Sequence, residues 1–152
     1  MINQYSRDNG RTPFQWDSTE NAGFTTGVPW LKVNPNYVNI NVAKQEKDPD
    51  SVLQYYRKLA DIRSNPEFED ALIYGEVEPY LEEEPGLMAY FRRGEKQDFL
   101  VAGNFTKEEK RILGNDTKEA EVILTNDELM REDRELIIKP FQVVVLRFQK
   151  ER

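Results

Sequence analysis

The chain has neither cysteine nor histidine among its 152 residues. Lack of cysteine rules out disulfides, thiol catalysis and thiolate-ligated zinc. It is compatible with a reducing compartment, and a cytoplasmic location is the expectation. Lack of histidine removes Ser-His-Asp triads and His-metal constellations. No apolar run reaches the length of a membrane span, and Met1 is not followed by a signal peptide. No lysine or arginine occurs between positions 66 and 84, while the formal net charge is −7. That balance argues against nucleic acid and anionic membranes as partners.

What is present suits a folded chain of one domain, or one domain with an appendage. Hydrophobic residues make up 38%, with two Trp, seven Tyr and eight Phe, enough for a modest core. Residues 1–47 are rich in Asn, Gly, Pro and Thr and show little apolar periodicity. A long irregular stretch of this kind is commonly functional or lies against something larger. Asp48, Pro49 and Asp50 then read as N-cap, first helical position and dipole-matched acid of a helix. Its apolar face is Val52, Tyr55, Tyr56, Leu59 and Ile62, and Asn65-Pro66 ends it.

From Ala71 the period becomes two. The expected strands are Ala71–Tyr74, Glu76–Leu81, Leu87–Arg93, Phe99–Phe105, Lys110–Leu113, Glu121–Thr125, Leu136–Lys139 and Gln142–Phe148. They are short and punctuated by turn residues, as in an antiparallel β-sandwich. The run Val143 to Leu146 is nearly continuous and predicts a central strand buried on both sides.

The segment Ser6 to Asp17, Ser-Arg-Asp-Asn-Gly-Arg-Thr-Pro-Phe-Gln-Trp-Asp, carries the chemistry. It combines Arg7 and Arg11 with Asp8 and Asp17, Asn9 and Gln15, Phe14 and Trp16, and Gly10 and Pro13 make it a loop. Guanidinium forks and amides hydrogen-bond sugar hydroxyls, and aromatic faces cover the apolar side of a pyranose. The segment resembles the signature before the last barrel helix in the α-glucosidase and oligo-1,6-glucosidase branch of glycoside hydrolase family thirteen. The resemblance continues through Asn21 to Gly27, Pro29-Trp30, Val33 to Tyr37, Ile40 to Val42 and Asp48 to Val52. Linked motifs in order are far more specific than any one alone. Phe14 stands where that family has methionine, and Gly10 where it often has alanine. The likeness covers residues 1–65 closely and the remainder by pattern.

Several expectations follow from the resemblance. Residues 1–66 are the C-terminal remnant of a catalytic (β/α)8 barrel, comprising a substrate loop and its last helix; residues 67–152 are the C-terminal β-sandwich. The class is mainly β. The family's aspartate nucleophile, glutamate acid/base and third aspartate are supplied before the point where this chain begins. The chain is thus expected to be a fragment of a retaining α-glucosidase acting on α-linked gluco-oligosaccharides, inactive alone and bracing the barrel, with no cofactor. Arg11 is the expected substrate contact, donating to two adjacent hydroxyls of the terminal glucose. The bland alternative is that Arg11 pairs with Asp8 or Asp17 to hold the loop. Asp8, Asn9 and Gln15 are expected to orient Arg11 and satisfy loop backbone.

Other constellations carry less. Phe14, Trp16, Phe24 and Trp30 are better read as packing onto the barrel than as a sugar platform. The acids Glu67, Glu69, Asp70, Glu76, Glu78, Glu82, Glu83 and Glu84 lack the Asp-rich loop with a turn glycine that calcium takes, and read as a solvated, repulsive edge. Nothing in their spacing sets up the carboxylate pair about 5–5.5 Å apart that retaining glycoside hydrolysis needs. Asn104-Phe105-Thr106 fits the glycosylation sequon incidentally. The competing class is a free-standing carbohydrate-binding or interaction module; a third is a structural piece that self-associates or pairs with a barrel-bearing chain.

Overall fold

A computed structural model of the chain describes residues 10–114 and 120–150. The chain divides into two compact units, 1–61 and 62–152, with the division inside a helix rather than at 66/67.

The first unit is held together by polar contacts. Helix α1 (Val42–Gln45) is capped by Asn41, whose side chain accepts from the Lys44 N–H at 2.9 Å and donates to Tyr37 O at 2.8 Å. Helix α2 (Val52–Ser64) begins later than Asp48. Asp48 instead closes a turn, its carboxylate accepting from the Asp50 N–H at 3.0 Å. Ser51 does the capping, accepting from the Gln54 N–H and donating to Gln45 O at 2.7 Å. Gln45 also accepts from the Leu53 N–H at 3.0 Å, so α1 fixes the first turn of α2. Both Asp48 and Ser51 are good caps; these Gln45 bonds select Ser51.

The second unit is an antiparallel β-sandwich. One sheet has the order β1 (Glu76–Tyr80), β2 (Leu87–Arg93), β3 (Gln97–Asn104), β8 (Val143–Gln149), β5 (Glu121–Thr125). The other has β4 (Lys110–Leu113), β7 (Glu135–Ile138), β6 (Met130–Glu132). Leu87, Ala89, Leu100, Ala102, Val144 and Leu146 from the larger sheet meet Ile112, Leu136 and Ile138 from the smaller. As expected, β8 is central: it pairs with β3 and β5, and Val144, Val145 and Leu146 are all buried.

Two expectations are corrected. Ala71–Tyr74 is no strand: a 3-10 turn at Pro66–Phe68 leads into helix α3 (Glu69–Leu72). Its C-terminal carbonyls are met by cations, which suit that end of a helix. Arg92 donates to Ala71 O and Leu72 O at 3.2 Å each, and Arg63 also donates to Leu72 O. Strand β6 was not expected, since Met130-Arg131-Glu132 is wholly exposed and shows no alternation; its register with β7 defines it.

Part of the acidic stretch is matched by cations rather than left repulsive. Glu67, Glu78 and Glu84 pair with Arg147, Arg93 and Lys110, each at 2.7 Å. The hydrogen bonds that Arg93 donates to Glu78, and then to Asp98, raise its pKa. Asp70 accepts from Gln97 Nε2 at 2.6 Å and from the Lys96 N–H at 3.0 Å. Burial works to raise its pKa, but these bonds bring it below the ordinary value on balance. Among the described residues no cluster of acids could hold a metal.

Buried polar side chains tie strand ends together. Asn104 donates to Glu108 O, Ile138 O and Lys139 O, and accepts from Thr106. This engagement and burial leave its amide closed to glycosylation in the folded chain. Replacing Leu146 with Ala should lower unfolding stability by about 2–5 kcal/mol. Replacing the exposed Leu113 should change it by less than about 0.5 kcal/mol. Denaturant titration of both variants checks the assignment of the core.

Candidate substrate loop

Loop residues 13–17 are anchored through their backbone to the start of α1. The Val42 N–H donates to Gln15 O and the Ala43 N–H to Trp16 O, both at 3.0 Å. The Gln15 side chain donates to Ile40 O. Gln15 thus ties the loop to the segment before α1. Asp8 and Asn9 lie outside the described residues.

Arg11 projects into solvent, and no described residue forms a hydrogen bond or ion pair with it. Asp17 is occupied elsewhere. Its carboxylate accepts from the Thr19 N–H at 2.8 Å and the Thr19 hydroxyl at 2.5 Å. The hydroxyl bond first, then the backbone bond, lower its pKa. Because the folded value is lowered, this contribution is complete above the ordinary carboxylate range and lost as pH falls through the lowered value.

A left-handed turn follows, which the sequence reading did not find. Asn21, Ala22 and Gly23 have φ of 53°, 58° and 67°. Such conformations cost energy in non-glycine residues and persist only when neighbours enforce them. Here Ala22 is fully buried, and its carbonyl accepts from the Trp16 and Asp17 N–H groups at 2.9 and 3.2 Å. The Asn21 side chain donates to Gly27 O at 3.1 Å and Thr25 O at 3.3 Å. A Cβ at Gly23 would lie 2.8 Å from the Asp17 carboxylate. The turn thus ties Ala22 back to the backbone of Trp16 and Asp17. The only signal for it in the sequence is Asn21-x-Gly23, two residue types that tolerate positive φ.

Phe14 and Trp16 meet edge to face with centroids 4.7 Å apart, yet both remain more than half exposed. Gly10, Thr12, Gln15, Asn41 and Gln45 contribute to a shallow depression of about 350 Å³ beside Phe14. Among the described residues the loop presents the exposed Arg11 guanidinium, amide groups and ring faces, and no acid lines the depression.

Gly23→Ala should destabilise the loop by about 1–3 kcal/mol. The expected readout is several-fold faster chymotryptic cleavage at Phe24 and Trp30, with unchanged melting of the sandwich.

The sequence profile described as alpha amylase, catalytic domain, matches residues 1–124. The probable oligo-1,6-glucosidase 2 of Bacillus subtilis is 50% identical over 104 residues, 68% of this chain and 18% of the relative. The trehalose-6-phosphate hydrolase of the same organism is 40% identical over 155 aligned positions, 99% of this chain and 27% of the relative. Among solved structures, the trehalose-6-phosphate hydrolase of Bacillus licheniformis superposes with a TM-score of 0.84. That match has 38% identity and covers 95% of this chain and 27% of the other. Isomaltulose synthase from Protaminobacter rubrum gives a TM-score of 0.80 at 39% identity, covering 95% and 26%. The chain thus spans only 18–27% of the length of these relatives. With a family profile over most of its residues and this degree of identity, the chain belongs to the α-amylase family, glycoside hydrolase family thirteen.

Proposed function

We propose that this chain supplies the substrate loop, closing helix and C-terminal sandwich of a retaining α-glucosidase that removes terminal glucose from short α-linked oligosaccharides. One observation carries the reading. Arg11, in a chain 50% identical over 104 residues to a probable oligo-1,6-glucosidase, is exposed and unpaired by any described residue. A guanidinium held free beside ordered backbone is suited to donate to adjacent hydroxyls of the terminal sugar. Gln15 holds the adjoining loop backbone in register, and Asp8 and Asn9 are the remaining candidates for orienting Arg11. The nucleophile and acid/base that retention needs come from the barrel part of such an enzyme. Residues 1–66 form the remnant of that barrel, with α2 as its last helix, and 67–152 brace its flank. A cytoplasmic setting suits a cysteine-free chain; among the described residues no helix is long and apolar enough to cross a membrane.

A second reading concerns the substrate. The match to a trehalose-6-phosphate hydrolase runs across 99% of the chain, whereas that to the oligo-1,6-glucosidase covers 68%. This extension through the sandwich favours a phosphorylated disaccharide as the alternative to isomaltose-type oligosaccharides.

The isolated chain should not turn over an aryl α-glucoside; an enzyme-like rate would overturn the reading. Grafted in place of the matching segment of an oligo-1,6-glucosidase, it should support turnover. There Arg11→Lys should lower kcat/KM by about tenfold to a hundredfold, as expected for a lost charge-assisted hydrogen bond. Unchanged kinetics would remove Arg11 from the site. Comparing grafts into an oligo-1,6-glucosidase and into a trehalose-6-phosphate hydrolase, each assayed on its own substrate, separates the two readings.

A further inference from the structure

The face of the larger sheet turned away from the sandwich core ends in a polar crevice. Gln97 opposes Gln149 across β3 and β8, and Arg147 stands two residues before Gln149. Opposed residues, and residues two apart on one strand, share a face of a sheet. Glu67 of the 3-10 turn, Glu95 and Lys96 between β2 and β3, and Lys150 join these three around a space of about 460 Å³. That volume lies within the range of small-molecule sites, about 300–1,000 Å³.

The crevice holds hydrogen-bonding capacity that the fold leaves unused. Arg147 has a side chain only 10% exposed. A guanidinium carries five N–H donors, and Arg147 commits three of them, to Gln97, Glu121 and Glu67. One N–H on each terminal nitrogen has no partner among the described residues. The side chains of Glu95, Lys96 and Gln149 likewise form no hydrogen bond or ion pair with any described residue. The deepest part is fixed in advance. Gln97 is 3% exposed and bonds to Arg147, to the Glu67 carbonyl and to Asp70, which lowers the ordering that binding requires.

Charge selects the class of ligand. The carboxylates of Glu67 and Glu95 share the lining with Lys96, Arg147 and Lys150, and Lys150 is itself paired with Asp98 at 2.9 Å. An entering anion meets two carboxylates, and an entering cation meets a buried guanidinium. A neutral ligand bearing many hydroxyls satisfies both signs, because a hydroxyl both donates and accepts. The Phe68 ring lies under the guanidinium at 5.1 Å and packs against Phe99, so recognition rests on hydroxyls rather than stacking. We propose that this crevice binds a short, neutral oligosaccharide through its hydroxyl groups. Only the choice of α-linked glucose as its sugar rests on the functional reading above.

The test titrates the isotope-labelled 152-residue chain with isomaltose, maltose and inorganic phosphate, and follows the Arg147 Nε–H and the Gln149 side-chain amide by NMR. Both resonances should move with at least one of the sugars, saturating in the millimolar range, and stay still with phosphate. Glu95→Ala combined with Gln149→Ala should weaken that binding about tenfold. The pair should leave thermal melting unchanged, since both side chains are exposed. Arg11→Ala should leave the binding unaltered. Resonances unmoved by either sugar well above millimolar concentration overturn the proposal, as does a response to phosphate alone. So does binding that Arg11→Ala abolishes and the double variant keeps. That last outcome returns the sugar to the Arg11 loop, whereas an unresponsive crevice leaves the loop's role, read from graft kinetics, standing.

Discussion

Hydrogen bonds, not apolar burial, hold the first unit together. Backbone and side-chain bonds run from Gln15 and Trp16 to α1, and from Gln45 to Ser51 and Leu53. Such bonds contribute only about 0.5–1.5 kcal/mol each once water is exchanged. They define a shape while supplying little of the driving force that burial gives. Every residue of α2 has its side chain at least partly exposed. The unit is therefore an ordered surface that leaves its large apolar side chains exposed.

The second unit solves the same problem internally. Its core runs between two sheets, and β8 carries three consecutive buried apolar residues. On the other face of the larger sheet, Phe68 meets Phe99 at 5.2 Å. Arg147 sits nearly buried beside them. It donates to Gln97 Oε1 at 2.6 Å, to Glu67 at 2.7 Å and to Glu121 at 3.2 Å, with its guanidinium over the Phe68 ring. One cation on β8 thus ties together β3, β5 and the 3-10 turn that precedes α3. Both glutamates are largely exposed, so solvent screens much of their pairing. The bond to buried Gln97 is the one whose loss leaves a polar group unsatisfied.

Most of the sandwich was legible because its strands alternate. Leu87–Arg93, Lys110–Leu113 and Glu121–Thr125 match their expected limits. Ala71–Tyr74 failed because a short apolar run does not distinguish helix from strand. Asn65 caps the 3-10 turn that leads into helix α3, and Arg63 and Arg92 donate to the last carbonyls of α3, Arg92 from 20 residues away. Strand β6 has no hydrophobic signature and exists through pairing with β7. In the loop, the residue types announced sugar chemistry, but the left-handed turn at Asn21 and Ala22 did not announce itself. An alanine enters that region only under tertiary constraint, here its burial and the bonds its carbonyl accepts from Trp16 and Asp17.

One unit buries a core of its own, and the other relies on hydrogen bonds while its large apolar side chains stay exposed. Hydrogen exchange of the isolated chain, resolved along the sequence, tests this most directly, because protection follows local opening free energy. Amides of β3 and β8 should exchange only through global unfolding, while those of α1, α2 up to Asp61 and the Trp16 region should exchange orders of magnitude faster. Equal protection in the two units, in a chain shown to be monomeric, would contradict the account.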